Sequence, residues 1–141
     1  MYKKISFLLC CMAIGFSACN KTTLSEGCAA NQICTTEFRS ISIQFVNKNG
    51  AYAQVKDITV VNQRTNQPVI AKGVLDPGFS PNDHFIVTDS NKSEFSTRGD
   101  NVKITATSIA DNKTVTAIYK ISGGCNCHVQ KLSGPDKVLI E

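Results

Sequence analysis

The stretch 102-VKITATSIADNKTVTAIYKI-121 decides the fold, because apolar and polar residues alternate along both of its halves. Alternation with a period of two is typical of a β-strand that buries one face. The pair Asp111-Asn112 lies between the halves, and both residue types favour tight turns. We therefore predict an antiparallel hairpin with a two-residue loop, in which Ala110 faces Lys113.

This register separates the side chains of the hairpin into an apolar face and a face rich in lysine and threonine. The polar face is expected to meet solvent. A slip of one residue would move every side chain to the other face, so the separation of the faces supports this register. The pairs expected on the apolar face are Val102 with Ile121, Ile104 with Tyr119, Ala106 with Ala117, and Ser108 with Val115.

The same alternation recurs on both sides of the hairpin, in short runs separated by turn residues. We predict strands over residues 41–45, 55–61, 84–88, 125–131 and 138–140, with a short edge strand within 69–74. Turns or loops are expected at 47–50, 65–68, 75–83, 89–100 and 133–136, and no helical pattern follows Cys19. Residues 38–141 are therefore predicted to form an all-β domain, an antiparallel β-sandwich of seven or eight short strands with an immunoglobulin-like or prealbumin-like shape.

The N-terminal residues have the layout of a secretory signal. Lys3 and Lys4 precede an apolar run over residues 5–16, which ends at a pair of small residues before Cys19. The stretch Phe16-Ser17-Ala18-Cys19 resembles the lipobox of bacterial lipoproteins, although that family prefers an aliphatic residue at the position of Phe16. The resemblance implies that residues 1–18 are a signal peptide and that Cys19 is lipidated.

Two alternatives to lipidation stay open at this point. The signal could be cut after Ala18 without lipidation, or the run could remain as an uncleaved anchor. The anchor is disfavoured because a spanning helix needs about 20 apolar residues and this run is shorter.

The resemblance also implies a location. Lipoproteins of this kind carry two or three acyl chains, so the protein would be held at the membrane, with residues 19–37 as a lipid-anchored tether. No acidic residue precedes Glu26, whereas an acidic tag after the lipidated cysteine directs some lipoproteins to the cell surface. We therefore expect an outer-membrane lipoprotein of the cell envelope, on the periplasmic face rather than the cell surface.

Two further stretches carry resemblances without an activity. The stretch 125-CNCHVQKLSGP-135 looks like the tail of small uncharacterised bacterial lipoproteins. Asn49-Gly50 followed by residues 55–60 is similar to the opening of carboxypeptidase-regulatory-like and other prealbumin-like modules. The regulatory modules usually have a proline after the Asn-Gly pair, and this chain lacks it. Neither family resemblance supplies a reaction to carry over.

The chain has seven cysteines. If Cys10 and Cys11 leave with the signal and Cys19 takes the lipid, four remain, and an even number in an exported chain predicts disulfides. Cys125 and Cys127 are two residues apart, a separation at which side chains of an extended strand point in parallel, so each is expected to bond outward. One would pair with Cys28 and the other with Cys34, and which pairs with which stays open.

Several classes of function are disfavoured. Removal of Lys3 and Lys4 lowers the formal net charge from +4 to +2, and no basic cluster supports nucleic-acid binding. Catalytic motifs such as GxSxG and HExxH do not occur. The four cysteines and His128 are residue types that bind zinc, but the CxC spacing and an oxidising compartment favour disulfides. We therefore expect no metal and no cofactor.

Two histidines are candidates for a role in a site. His128 is expected at the surface or partly buried, with a backbone partner and on the strand face opposite the cysteines. His84 follows Asp83, but neighbours on an extended chain face opposite ways, so we expect a cap or turn role rather than a catalytic dyad.

Our leading hypothesis is a non-catalytic, lipid-anchored envelope protein, not an enzyme, with a structural role or a protein partner. An alternative is a glycan- or peptidoglycan-binding module that uses loops 75–83 and 89–100, with Tyr52 or Phe79 exposed. A metal- or thiol-dependent enzyme is the least favoured class, because a reactive dithiol normally has CxxC spacing at a helix N-terminus.

Overall fold

The computed structural model describes residues 28, 31–73 and 82–140. The predicted fold class is confirmed, since these residues form two sheets that face each other as a sandwich. Within the described ranges no helix is long and apolar enough to cross a membrane. The elements found there are β1 (Ser40–Val46), β2 (Val55–Asn62), β3 (Gln67–Pro68), β4 (His84–Thr88), a 3-10 helix (Asp89–Glu94), β5 (Asp100–Ser108), β6 (Thr114–Ser122), β7 (Gln130–Ser133) and β8 (Lys137–Leu139).

The smaller sheet has the strand order β4-β1-β8, and the larger has the order β3-β2-β5-β6-β7. The core lies between them and is built from the inward faces predicted by the period-two pattern. Burial of each large apolar side chain stabilises the fold by about 1.5–3 kcal/mol. The largest fully buried apolar side chains are those of Ile43, Phe45, Ile86 and Val87 from the smaller sheet, Val102, Ile104, Tyr119 and Ile121 from the larger, and Val129 before β7.

The predicted hairpin is present, but its predicted register is wrong. Val102 pairs with Tyr119 and Ile104 with Ala117, so β6 is displaced by two residues relative to β5. The loop has four residues rather than two, because the Ser108 amide donates to the Lys113 carbonyl and Asn112 adopts a φ of 57°. A displacement of two residues preserves the faces, and the predicted separation of apolar from polar side chains therefore holds.

The prediction of an edge strand over residues 69–74 is wrong. The short strand is instead β3, which pairs with Val61 and Asn62 of β2. Asn66 has a φ of 56°, so the chain reverses within residues 63–66, before the predicted turn at 65–68 ends. Residue 74 and most of the predicted loop 75–83 lie outside the described residues.

The smaller sheet is not wholly antiparallel, which departs from the prediction. The first half of β1 pairs with β4 in antiparallel orientation, whereas its second half pairs with β8 in parallel orientation. The residues between β7 and β8 direct the chain from one sheet to the other, and Gly134 lies there with a φ of 127°. β1 therefore has a different partner on each edge, each along only half of its length.

Two stretches predicted as connection and strand have other structures. Residues 89–94 form a 3-10 helix, which is stabilised by the fully buried side chain of Asn91. Its amide donates to the Ile70 carbonyl and its oxygen accepts from the Thr88 amide. The predicted strand 125–131 begins only at Gln130, because Gly124 has a φ of 58° and residues 124–128 form turns and bends.

Candidate functional site

Two disulfides connect the N-terminal segment to the loop between β6 and β7. Cys28 bonds to Cys125 and Cys34 bonds to Cys127, with Cα atoms 4.9 Å and 5.2 Å apart. The prediction that Cys125 and Cys127 bond outward is confirmed, and the open choice of partners is now decided. Cys19, the predicted lipidation site, lies outside the described residues.

The loop over residues 123–129 is positioned by the 3-10 helix and the turn that follows it. The Gly124 amide donates to the Lys92 carbonyl at 2.7 Å, and the Gly123 amide donates to the Ser96 carbonyl at 3.0 Å. A Cβ at Gly123 would collide with the Lys92 carbonyl oxygen, so only glycine permits this approach. The loop thereby presents Cys125 and Cys127 to the segment that carries their partners.

A chain of three side chains lies beside the disulfides. Nδ1 of His128 is 2.7 Å from an Asp89 carboxylate oxygen, and Nε2 of His128 is 2.8 Å from Oγ1 of Thr35. The prediction of a backbone partner for His128 is wrong, because both ring nitrogens contact side chains. The prediction that it faces away from the cysteines on a strand also fails, since residues 125–128 are not a strand. We refer to Thr35, His128 and Asp89 as the clamp.

Asp89 is the centre of the clamp. Its carboxylate accepts the amides of Arg39 and Val129 at 2.8 Å and 2.7 Å, in addition to the contact with His128. Burial by itself would raise the pKa of Asp89, but these hydrogen bonds and the neighbouring His128 outweigh it, so the pKa is lowered. Asp89 therefore joins the 3-10 helix, the residue before β1 and the loop before β7 at one point.

The clamp has the hydroxyl, imidazole and carboxylate order of an acyl-transfer triad. Two of the hydrogen bonds to Asp89 come from the backbone, however, and Thr35 belongs to the exposed segment 31–39 that the disulfides attach. The arrangement therefore holds two backbone amides and, through His128, the side chain of Thr35. Its hydrogen bonds attach this segment to the sandwich at a third place, in addition to the two disulfides.

A second buried carboxylate network lies where β2 ends, at Asn62, and β5 begins, at Asp100. Asp100 is only 4% exposed, and its carboxylate accepts from Arg64 Nε at 2.8 Å, Asn62 Nδ2 at 2.9 Å and the Ser96 amide at 3.0 Å. Burial opposes ionisation, but these hydrogen bonds prevail and lower the pKa of Asp100 to about 2. This network was not predicted from the sequence. Asn62 offered a signal, because it continues the inward face of Ile58 and Val60.

A groove with a volume of about 690 Å³ runs between β1 and β7. Two ion pairs lie at the groove, since Arg39 is 3.0 Å from Glu37 and Lys131 contacts Asp136. A third carboxylate, that of Asp83, accepts a hydrogen bond from the uncharged side chain of Gln44 at 2.7 Å. Sequence analysis did not predict the groove, since its walls come from strands that are distant in the sequence. It is lined by residues from 37–42, Gln44, Asp83, residues 129–131 and Asp136.

The other predicted candidates do not come together. Asp83 accepts from Gln44, whereas the His84 ring packs 5.6 Å from the Phe45 ring, and burial lowers the pKa of His84 despite the nearby Asp83. Tyr52 is 46% exposed, with Lys137 Nζ 5.9 Å from the ring centre. Phe79 lies outside the described residues.

The described residues contain no group of three or more His, Cys, Asp and Glu side chains that could hold a metal ion. The four predicted cysteines have no thiolate to offer, because all of them are in disulfides.

Comparison of the chain with protein-family models, with curated proteins and with solved structures finds no match in any of the three. The case for a function therefore depends on the chain's own residues.

Proposed function

We propose that the protein is a lipid-anchored, non-catalytic β-sandwich of the cell envelope that binds another protein. The observation that carries the proposal is the pair of disulfides, which attach the segment following the predicted lipidation site to loop 123–129. In this proposal Cys19 bears the lipid and the sandwich binds the partner protein.

The first disulfide limits how far the sandwich stands from the membrane. Cys19 and Cys28 are nine residues apart in the sequence. A fully extended chain spans at most about 3.3–3.6 Å per residue, so the attachment point would lie within about 30 Å of the lipid. A short reach suits a protein that acts on neighbours in the same membrane layer.

The buried polar groups support a role without catalysis. Asp89 holds two backbone amides, and Asp100 holds a backbone amide and two side chains. The four described cysteines form disulfides, which fit the oxidising compartment that an outer-membrane lipoprotein facing the periplasm would occupy. These groups stabilise structure, and the surfaces left for function are grooves and strand edges.

Metabolic labelling with an alkyne fatty acid in a bacterial host tests the anchor. We expect label in the wild-type protein and none in Cys19→Ala, which should also retain residues 1–18. Cys10→Ala, within the predicted signal, is the matched control and should be labelled like wild type. Label that persists in Cys19→Ala would overturn the anchor.

Photocrosslinking in intact cells tests partner binding. A crosslinking amino acid is placed at exposed positions such as Gln130, Tyr52 and Thr116, one at a time. We expect one of these positions to give a discrete adduct with an envelope protein, and the others to give none. Equal diffuse crosslinking from all three positions would contradict a specific partner.

A further inference from the structure

Among the described residues, the first half of β1 pairs with a strand along one of its two edges only. β4 pairs with Ser40–Ile43 along one edge of β1, and β8 pairs with Gln44–Val46 along the other. β8 starts at Lys137, opposite Gln44, and among the described residues no strand continues its line beside residues 40–43. The groove occupies this place, since Ser40, Ile41 and Ser42 line it.

The opposite wall of the groove is also a strand edge. β7 ends the larger sheet and, within the part of the chain that the structure describes, pairs with β6 alone. Gln130 and Lys131 of β7 line the groove. A strand edge presents main-chain donors and acceptors that can pair with another chain. The groove therefore lies between two such edges, one from each sheet.

The side chains around the groove indicate what would fit. The floor includes Ile41 and Val129, which are 8% and 2% exposed. Four of the five charged side chains at the rim form ion pairs, namely Glu37 with Arg39 and Asp136 with Lys131. The fifth, Asp83, accepts a hydrogen bond from Gln44 at 2.7 Å. A charged ligand would have to break these pairs. An uncharged chain that satisfies the strand edges with its own main chain would leave them intact.

We propose that the groove binds an extended peptide segment of a partner protein, which pairs with residues 40–43 of β1 and continues the line of β8. This is recognition by strand addition, in which main-chain hydrogen bonds give affinity and alternate side chains give specificity. Four paired residues span about 13 Å at 3.3 Å per residue. The side chains that face Ile41 and Val129 are small and apolar, and those that face solvent are uncharged.

The proposal rests on the proposed protein-binding function and names its surface and the class of its partner. It does not depend on the lipid, because the groove is formed by the sandwich. Peptide binding and membrane attachment can therefore fail separately.

Selection from a random twelve-residue peptide library displayed on phage tests the groove with the mature protein in detergent. We expect the selected peptides to alternate small apolar and uncharged polar residues. Hydrogen exchange with a selected peptide should show at least tenfold slower exchange of amides within residues 40–43. Recovery of no binder, or of peptides that protect a different surface, would overturn the proposal.

Two variants locate the site. Ser42→Arg and Gln130→Arg place a large charged side chain on opposite walls, and each should weaken binding at least tenfold. Thr116→Arg, on the exposed face of β6, is the matched control and should bind like wild type. Circular dichroism shows whether each variant is folded. If a variant does not fold, the hydrogen-exchange measurement on the wild-type protein still tests the groove.

The remaining outcomes separate this proposal from its alternatives. Displacement of the peptide by soluble peptidoglycan fragments would assign the groove to a glycan and overturn the peptide. A specific crosslink from Tyr52 or Thr116 that survives in Ser42→Arg would overturn the groove while leaving the proposed function in place. Loss of label from wild type with peptide binding intact would overturn the anchor alone.

Discussion

Nδ1 of His128 lies 2.7 Å from Oδ2 of Asp89, and this contact joins two parts of the chain that are 39 residues apart. The same carboxylate accepts the amides of Arg39 and Val129. Three segments, namely the approach to β1, the 3-10 helix and the loop before β7, therefore meet at one ionised side chain that is 13% exposed.

Asp89→Ala should destabilise the fold by about 3 kcal/mol, because the partly buried Val129 amide and His128 imidazole lose their acceptor and each unsatisfied buried group costs about 1–3 kcal/mol. Urea unfolding followed by circular dichroism measures the change. Asp136→Ala, which removes a carboxylate that is 92% exposed, is the control and should leave the midpoint nearly unchanged. Equal midpoints for the two variants would show that the clamp does not stabilise the fold.

Stability should fall in acid because of Asp100. Its pKa is about 2 in the folded protein against 3.8 for a free side chain, so the folded state favours the ionised form. This contribution, about 2 kcal/mol, is fully present above the unfolded value and is lost as the pH falls from about 4 through 2. Asp89, whose pKa is also lowered, adds to the loss in the same direction.

Unfolding measured between pH 2 and pH 6 checks this dependence. Asp100→Asn should be less stable than wild type at pH 6 and should show a flatter decline below pH 4. Asp57→Asn, at an exposed position with a φ of 53° that Asn tolerates, should retain the wild-type decline. A decline in Asp100→Asn as steep as in wild type would exclude Asp100 as its source.

The two disulfides should not contribute additively. Each closes a loop of more than 90 residues when it is alone, with sequence separations of 97 and 93. A loop of that size is worth about 4.7 kcal/mol by chain entropy, whereas the second bond closes a ring of about ten residues and adds about 2.5 kcal/mol. Removal of one disulfide should therefore lower the free energy of unfolding by less than the subsequent removal of the other.

Unfolding of the paired variants Cys28→Ser/Cys125→Ser and Cys34→Ser/Cys127→Ser, and of the fully reduced wild type, measures these steps. We expect the two paired variants to have similar midpoints. The reduced protein should be destabilised by more than the sum of the two separate losses. Strict additivity would contradict the chain-entropy account.

Gly134→Ala should be strongly destabilising, because a Cβ there would lie 2.5 Å from Cδ1 of the buried Tyr119, whose hydroxyl donates to the Pro135 carbonyl. We expect a loss of about 3 kcal/mol from overpacking together with the positive φ. Gly50→Ala is the matched control: its φ is 77°, and a Cβ meets nothing within 4 Å. It should lose only about 1 kcal/mol, so similar losses would show that Tyr119 imposes no steric limit.

Much of the fold was predictable, because the period-two pattern of β5 and β6 states which side chains are buried. The register of that hairpin was not, since the αL conformation of Asn112 lengthens the loop without changing the pattern. The 3-10 helix was missed because its stability comes from Asn91, which binds the backbone of residues far away in the sequence. Local patterns carry no record of such contacts.

The candidate site divides in the same way. Export to an oxidising compartment and the separation of two residues between Cys125 and Cys127 predicted that each bonds to a cysteine elsewhere in the chain. Only the fold decides which cysteine each one bonds to. His128 was predicted to face away from the cysteines because its neighbours alternate as in a strand. The groove depends on β1 and β7 being brought together from opposite sheets, so no stretch of sequence signals it.

The bond between Cys28 and Cys125 also determines the path of mechanical load. Tension on the chain before Cys28 would pass through sulfur into loop 123–129, between β6 and β7, rather than into the start of β1. Pulling directly on β1 would separate it from β4 one residue pair at a time, which is a weak geometry. By entering at Cys125, the force bypasses that seam, so a protein held by its N-terminus could be pulled without its first strand being peeled away.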